Sequence, residues 1–374
     1  GKPARLHYCN TKNRCDRDRT HYPNSNRSDF IIRILPQNII YRIKISQTGY
    51  SLYLCNLKQK LQDVKNISES VAYCLLAIIL TWLPTNETLS QTNSDSLLLN
   101  YFQKEELPVT HHNQIILLTS GADKFEDLFE SIRQAKHHIH LEYFNFRNDS
   151  IANSLFELLA QKAAEGVEVR AMFDAFGNSS NNQPLKKKHL EQIQSKGIEI
   201  VKFDPIRFPW INHVWSRDHR KIVVIDGVTG YTGGMNIADY YIHGLPEIGK
   251  WRDIHIRIQG NAVHYLQSIF LNMWNEETGQ HIGGPQYFPN YEEDNNNINE
   301  PIVIVDRMPN ETPASIRDAY SAAIENAEEK IQIINPYFVP TKSIKKSIKK
   351  ALKKGTEVEI MIPAVSDIRS EERR

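Results

Sequence analysis

A chain of 374 residues has the length for two or three domains. Its 45 basic and 44 acidic side chains leave a net charge of +1, so no global field draws it to nucleic acid or to an acidic partner. With 40% apolar and 24% charged residues it has the composition of an ordinary globular protein, which excludes a disordered or fibrous chain.

Residues 1–95 are rich in Asn, Arg, Tyr and Cys and show little sustained periodicity, so they read as an irregular region of uncertain fold. All four cysteines, Cys9, Cys15, Cys55 and Cys74, lie there without CxxC or zinc spacing, which favours reduced thiols. The longest apolar run, Val71 to Leu83, is shorter than the ~20 residues a membrane span needs. Phe30 to Ile45 is apolar but interrupted by Arg33, Pro36 and Arg42. Both stretches read as a buried helix or strand. No clean signal peptide opens the sequence.

From Asn113 the pattern sharpens. Ile115 to Leu118 reads as a buried strand ended by Ser120-Gly121, followed by Phe125, Leu128, Phe129, Ile132 and Ala135 at helical spacing. Ile139 to Phe146 is the next strand. A helix with Ile151, Leu155, Leu158 and Leu159 stops at Gly166, and Val167 to Asp174 is again a strand. This alternation predicts a layered α/β domain with a mixed sheet flanked by helices. The same series returns: Ile316, Tyr320, Ala323, Ile324 and Ala327 on a helix, Ile331 to Phe338 as a strand, Ile344, Ile348 and Leu352 on a helix stopping at Gly355, then Thr356 to Pro363. The offset is 192 residues between Ile139 and Ile331 and 189 between Gly166 and Gly355, which points to an internal duplication. The predicted division is 1–95 irregular, 96–285 a complete first unit, 286–300 a polar Asn-rich linker and 301–374 the incomplete start of a second unit.

The segment His219 to Asn236, HRKIVVIDGVTGYTGGMN, reads as a strand, a turn at Asp226-Gly227, a returning strand and a tight Gly233-Gly234 turn. His219 and Lys221 are two apart, so their side chains share one face. An imidazole there can attack phosphorus and an ammonium can bind phosphate oxygens. Gly233 and Gly234 permit close backbone approach, and Asn236 can donate to a phosphate.

The spacing His219-x-Lys221, Asp226, Gly233-Gly234-x-Asn236 resembles the signature of the phospholipase D superfamily. The segments His137 to Phe144, Lys250 to Val263, Leu266 to Trp274 and Ile334 to Pro340 resemble bacterial cardiolipin synthases in particular, over about Leu97 to Asp367. The resemblance implies a phosphatidyltransferase that joins two phosphatidylglycerols into cardiolipin and releases glycerol. His219 would form a phosphatidyl-histidine intermediate. Lys221 and Asn236, with Gly233 and Gly234, would hold the phosphate. Asp226 would keep the local hydrogen-bond geometry, and neither cofactor nor metal would be needed. Its partners would be phosphatidylglycerol, other anionic phospholipid and the membrane surface rather than nucleic acid, at the bacterial cytoplasmic membrane.

The sequence departs from the family pattern in having one such motif where the family uses two. The second is expected roughly 190 residues after His219, beyond Arg374, so the chain reads as an incomplete form. The missing histidine would protonate the leaving alcohol, so little activity is expected of the chain alone unless a dimer supplies it. The family's opening membrane-spanning helices are not evident either. Two alternatives stay open: another superfamily phosphodiesterase, phospholipase or nuclease, and a non-catalytic copy that binds lipid.

Other features carry less. His111, His112, His137, His138 and His140 read as surface or packing residues, since adjacent His137 and His138 face opposite ways before a strand. The lysines of Lys342 to Lys354 lie opposite an apolar stripe, as a solvated face or as a contact for anionic headgroups. Phe208 to Trp215 reads either as packing or as an interfacial aromatic segment.

Overall fold

The computed structural model describes residues 93–205, 217–246, 249–290, 301–307 and 314–363. The four cysteines, both early apolar stretches and Phe208 to Trp215 lie outside them. In chain order the helices are α1 (Asn93–Lys104), α2 (Gly121–Gln134), α3 (Ser150–Ala164), α4 (Ala175–Ser180), α5 (Lys187–Gln194), α6 (Tyr240–His243), α7 (Val263–Thr278), α8 (Ser315–Asn326) and α9 (Lys342–Lys354). The strands are β1 (Val109–Thr110), β2 (Asn113–Leu118), β3 (His138–Tyr143), β4 (Glu168–Asp174), β5 (Glu199–Phe203), β6 (Lys221–Ile225), β7 (Thr229–Gly233), β8 (His255–Gly260), β9 (Ile302–Val303), β10 (Lys330–Ile334) and β11 (Glu357–Met361).

Seven strands form a mixed sheet in the order β2-β8-β7-β6-β3-β4-β5. The β3-α3-β4 crossover pairs in parallel, while β3, β6, β7, β8 and β2 pair antiparallel. This is the mixed α/β architecture the alternation predicted. Local chemistry starts the helices. Ser120 accepts from the Asp123 N–H at the head of α2, and Asp149 accepts from the Ala152 N–H at the head of α3.

The sheet is buried on both faces. Ile139, Leu141 and Tyr143 of β3 pack with Val223, Tyr231 and Phe173 under α2 and α3, whose Leu128, Ile132, Leu155 and Leu159 are fully covered. Helix α7 closes the other face with Leu266, Phe270, Leu271, Met273 and Trp274 against Ile222, Val224, Ile256 and Met172. Each such side chain stabilises by about 1.5–3 kcal/mol on full burial, so the central strands are held from both sides.

A smaller cluster follows the linker. Strands β10 and β11 pair in parallel, joined by α9, and pack with α8. Helix α1 belongs to this cluster and not to the large sheet, because Leu98 and Phe102 are buried against Val305, Ala319 and Ile324. Tyr287 is buried with Phe270 and Trp274, sits edge-on to His138 and donates to Glu168 Oε2 at 2.7 Å. Residues 291–300 lie outside the described ones.

Candidate active site

Register brings one end of the central strands together. Tyr143 lies opposite Lys221, Ile222 opposite Thr232, and Gly233 opposite His255. Strand β6 begins at Lys221 and His219 sits in the extended segment before it, so the motif opens at this end of the sheet. The Lys221 Nζ stands 3.2 Å from His219 Nδ1 and donates to the His219 carbonyl at 2.7 Å. The Phe144 ring lies 4.7 Å from the imidazole, centroid to centroid, and 5.6 Å from the ammonium.

Burial sets the electrostatics. Desolvation, then Lys221, pushes the His219 imidazole down to about 3, so it is neutral and carries a lone pair at neutral pH. Desolvation pushes the Lys221 ammonium down to about 7, against the upward pull of Asp218, Asp253 and Asp174. Desolvation raises the Asp253 carboxyl to about 6, while the Ile254 N–H, Lys124 and Lys221 pull it back.

The backbone around His219 is clamped on both sides. Asp174 Oδ2 accepts from the Asp218 N–H at 2.9 Å and pairs with Arg217 at 3.0 Å. Arg220 points to the opposite face. It forks onto Asp306 at 2.7 and 2.8 Å, reaches Asp218 at 3.3 Å and stands 3.6 Å from the buried Glu142.

The loop after β7 is held by Lys124. This lysine is fully buried, and its Nζ donates to the carbonyls of Met235 and Asn236 at 3.0 Å each while lying over the Phe125 and Tyr143 rings. The Asn236 Nδ2 donates to the Tyr241 hydroxyl at 3.4 Å, and its buried Oδ1 has no partner among the described residues. Beside the loop is a cavity of about 350 Å³ lined by Arg147, Asp149, Gln183, Asp239, Tyr240 and His243.

The Gly234 N–H donates to the Ile254 carbonyl at 2.9 Å and so is engaged with the chain, not offered to a phosphate. Gly233, at φ +156°, is required by packing: a Cβ there would stand 2.6 Å from the His255 backbone. Asp226 lies at the far end of β6, ~17 Å of strand away. Its carboxylate accepts from the N–H groups of Lys136, His137 and His138 at 2.8, 2.7 and 3.0 Å. It ties the hairpin turn to the start of β3.

The sequence reading missed Lys124, Asp253 and His255. Lys124 shares the buried face of α2 with Phe125, Leu128 and Ile132, and a lysine on an apolar stripe is a legible signal. Asp253 and His255 are polar residues at alternate positions entering an apolar strand, the same arrangement as His219 and Lys221. Of the five histidines set aside, His111, His112 and His137 are exposed, while His138 and His140 are buried beneath α7.

Residues 128–274 match the family model described as "Cardiolipin synthase, PLD-like domain". The chain is 38% identical over 261 residues to the major cardiolipin synthase ClsA of Bacillus subtilis, covering 69% of this chain and 53% of that protein. It is 36% identical over 267 residues to a cardiolipin synthase of Halalkalibacterium halodurans, covering 70% of this chain and 51% of that protein. The chain thus spans about half the length of the curated relatives it matches. In fold it resembles a phosphatidylserine synthase of Haemophilus influenzae, with a TM-score of 0.52 at 17% identity over 71% of this chain and 66% of that one. Over residues 128–274 the chain is thus similar to the cardiolipin synthase, PLD-like domain family, and over about 70% of its length to curated cardiolipin synthases.

Proposed function

We propose that this chain carries one half-site of a cardiolipin synthase-type phosphatidyltransferase. One observation carries the reading: a neutral, half-buried imidazole, His219, is held 3.2 Å from the ammonium of Lys221 on a clamped strand end. A neutral imidazole is a nucleophile, and a cation beside it stabilises the charge that builds on phosphate oxygens. His219 attacks the phosphorus of phosphatidylglycerol. The bond to glycerol breaks, glycerol leaves after gaining a proton, and phosphatidyl-histidine remains. The hydroxyl of a second phosphatidylglycerol then gives its proton back to the group that protonated glycerol and attacks that phosphorus, the phosphorus–nitrogen bond breaks, and cardiolipin forms with the histidine freed. Lys221 and the Asn236 amide orient the phosphate, Lys124 fixes the loop that carries Asn236, and Asp253 balances the two lysines.

The sequence as given holds one His-x-Lys motif of this spacing. A second acid is needed to protonate glycerol, and general acid catalysis is worth roughly 10²–10⁴-fold. We therefore assign residues 301–363 to the start of a second unit, with the helix-strand-helix-strand order of α2 to β4 repeated in α8 to β11. The second histidine would come from chain beyond it or from another copy, at a membrane surface. No helix among the described residues is long and apolar enough to cross a membrane.

The test uses purified residues 1–374 and phosphatidylglycerol labelled at phosphorus, in detergent micelles, quenched in base to preserve a phosphoramidate. The expected result is a slow labelled adduct that His219→Ala abolishes. Label retained by His219→Ala would assign the nucleophile elsewhere and overturn the reading.

A further inference from the structure

Helix α9 has the sequence KSIKKSIKKALKK, with seven lysines and no acid. Its inner side is used: Ser347 and Ala351 are buried, and Ile344 and Ile348 pack against the cluster of α8, β10 and β11. At 100° per residue, Lys342, Lys345, Lys346, Lys349 and Lys353 fall in a stripe ~100° wide, directly opposite that buried side. All five are exposed. The ion pair and lysine hydrogen bonds that α9 makes go to Glu325, which takes Lys350 at 2.6 Å and the Lys354 Nζ at its carbonyl. Among the described residues no carboxylate lies within ion-pair reach of the other five lysines. Large apolar side chains sit exposed at both ends of the helix: Tyr337 and Val339 before it, and Leu352 in its last turn on the edge of the stripe.

We infer that the lysine face of α9 docks on an anionic lipid bilayer. Charge complementarity requires an extended anionic partner, because five cations in line over ~17 Å of helix exceed what one phosphate or carboxylate can meet. The flanking Tyr337, Val339 and Leu352 choose among such partners. A bilayer presents an anionic plane with apolar interior beneath it, whereas RNA, DNA or an acidic peptide leaves exposed Val and Leu in water. Lysine stems also lie along an interface while their ammonium groups stay with headgroup phosphates. The helix is fixed by its core contacts and by Thr341 and Gly355 at its caps, so docking orders no new segment. This inference stands apart from the phosphoryl-transfer reading, since it concerns a different unit and no reacting group.

The experiment is co-sedimentation of residues 1–374 with vesicles of phosphatidylcholine alone, or mixed with phosphatidylglycerol or with phosphatidylserine. Binding to both anionic mixtures, not to phosphatidylcholine, and weakening with salt is the expected result. Each lysine near an anionic surface is worth about fivefold, so Lys345→Gln, Lys346→Gln and Lys349→Gln together lower affinity by on the order of a hundredfold. The same three positions changed to Arg keep it, which separates charge from any loss of fold. The Gln variant forms the His219 adduct in detergent at the rate of the unchanged chain, so failure here is distinguishable from failure of the half-site. Equal vesicle affinity of the Gln variant and the unchanged chain overturns the proposal. So does a chain that ignores vesicles but binds RNA or duplex DNA through the same lysines.

Discussion

At the scale of single residues, the proposed chemistry turns on how burial treats two neighbouring bases. The Lys221 ammonium, pushed down to about 7 by desolvation, loses its proton as pH rises through neutrality, and with it the charge that binds an anion. An anion of constant charge isolates this effect. Sulfate affinity of the unchanged chain is expected to fall by up to about tenfold per pH unit above 7. In Lys221→Arg it stays nearly flat, because a guanidinium keeps its proton over this range. Calorimetric titration at a series of pH values checks this, and parallel slopes for the two proteins would refute it. His219 does not share the dependence: held down at about 3, it is already neutral across the range.

At the scale of elements, the strand end that carries His219 is fixed by groups on the other face of the sheet. Arg220 lies between Glu142, Asp218 and Asp306, with Glu142 and Asp218 fully covered. Burial and then Asp218 push the Glu142 carboxyl well up, and Arg220 is the cation that opposes them. Removing one partner of a buried ionic cluster leaves the others uncompensated, typically at about 3–5 kcal/mol. Arg220→Met is expected to cost that much in urea unfolding. Asp306→Asn is expected to cost clearly less, because Asp306 is a third exposed and Asp218 and Glu142 still face Arg220. An Arg220→Met variant within 1 kcal/mol of the parent, a margin about that of an ordinary surface change, would sink the clamp. Because Asp306 lies in the segment after the linker, this contact also ties the strand of the proposed nucleophile to the start of the second cluster.

At the scale of the whole molecule, buried histidines govern acid stability. His138 is pushed down to about 4, with desolvation the main cause and Asp226 opposing it. Below the unfolded value of about 6.5 the unfolded chain binds a proton that the folded chain does not. Stability from this residue is therefore present above pH 6.5 and lost as pH falls toward 4, by about 3 kcal/mol in full. His140 and His255 are held down in the same sense by burial, while Asp253 and Glu142, held up, shift stability the opposite way. His138→Phe keeps a ring against Tyr287 and removes the titration. Its thermal midpoint is expected to drop less than that of the parent between pH 7 and pH 4.5. Equal drops would remove His138 from the account.

The sequence by itself determined the alternation of strand and helix, the mixed α/β class and the pairing of His219 with Lys221. Each rests on local physics: apolar periodicity, a glycine stop at Gly166 and Gly355, and two-residue alternation along a strand. It also carried the family signature, since that lies within eighteen consecutive residues, His219 to Asn236. Tertiary structure decided the rest. Asp226 reads in sequence as part of a reacting motif, but a strand places it at the far end of the sheet, on the backbone of residues 136–138. Gly234 reads as an open donor until the Ile254 carbonyl, just before β8, takes its N–H, and Tyr287 reads as linker until it is buried against α7. Lys124 and Asp253 join the site from 95 residues before His219 and 34 after it. Helix α1 crosses to the second cluster because its partners lie more than 200 residues on. No periodicity reports such contacts, because the burial that rewards them exists only once distant strands and helices have met.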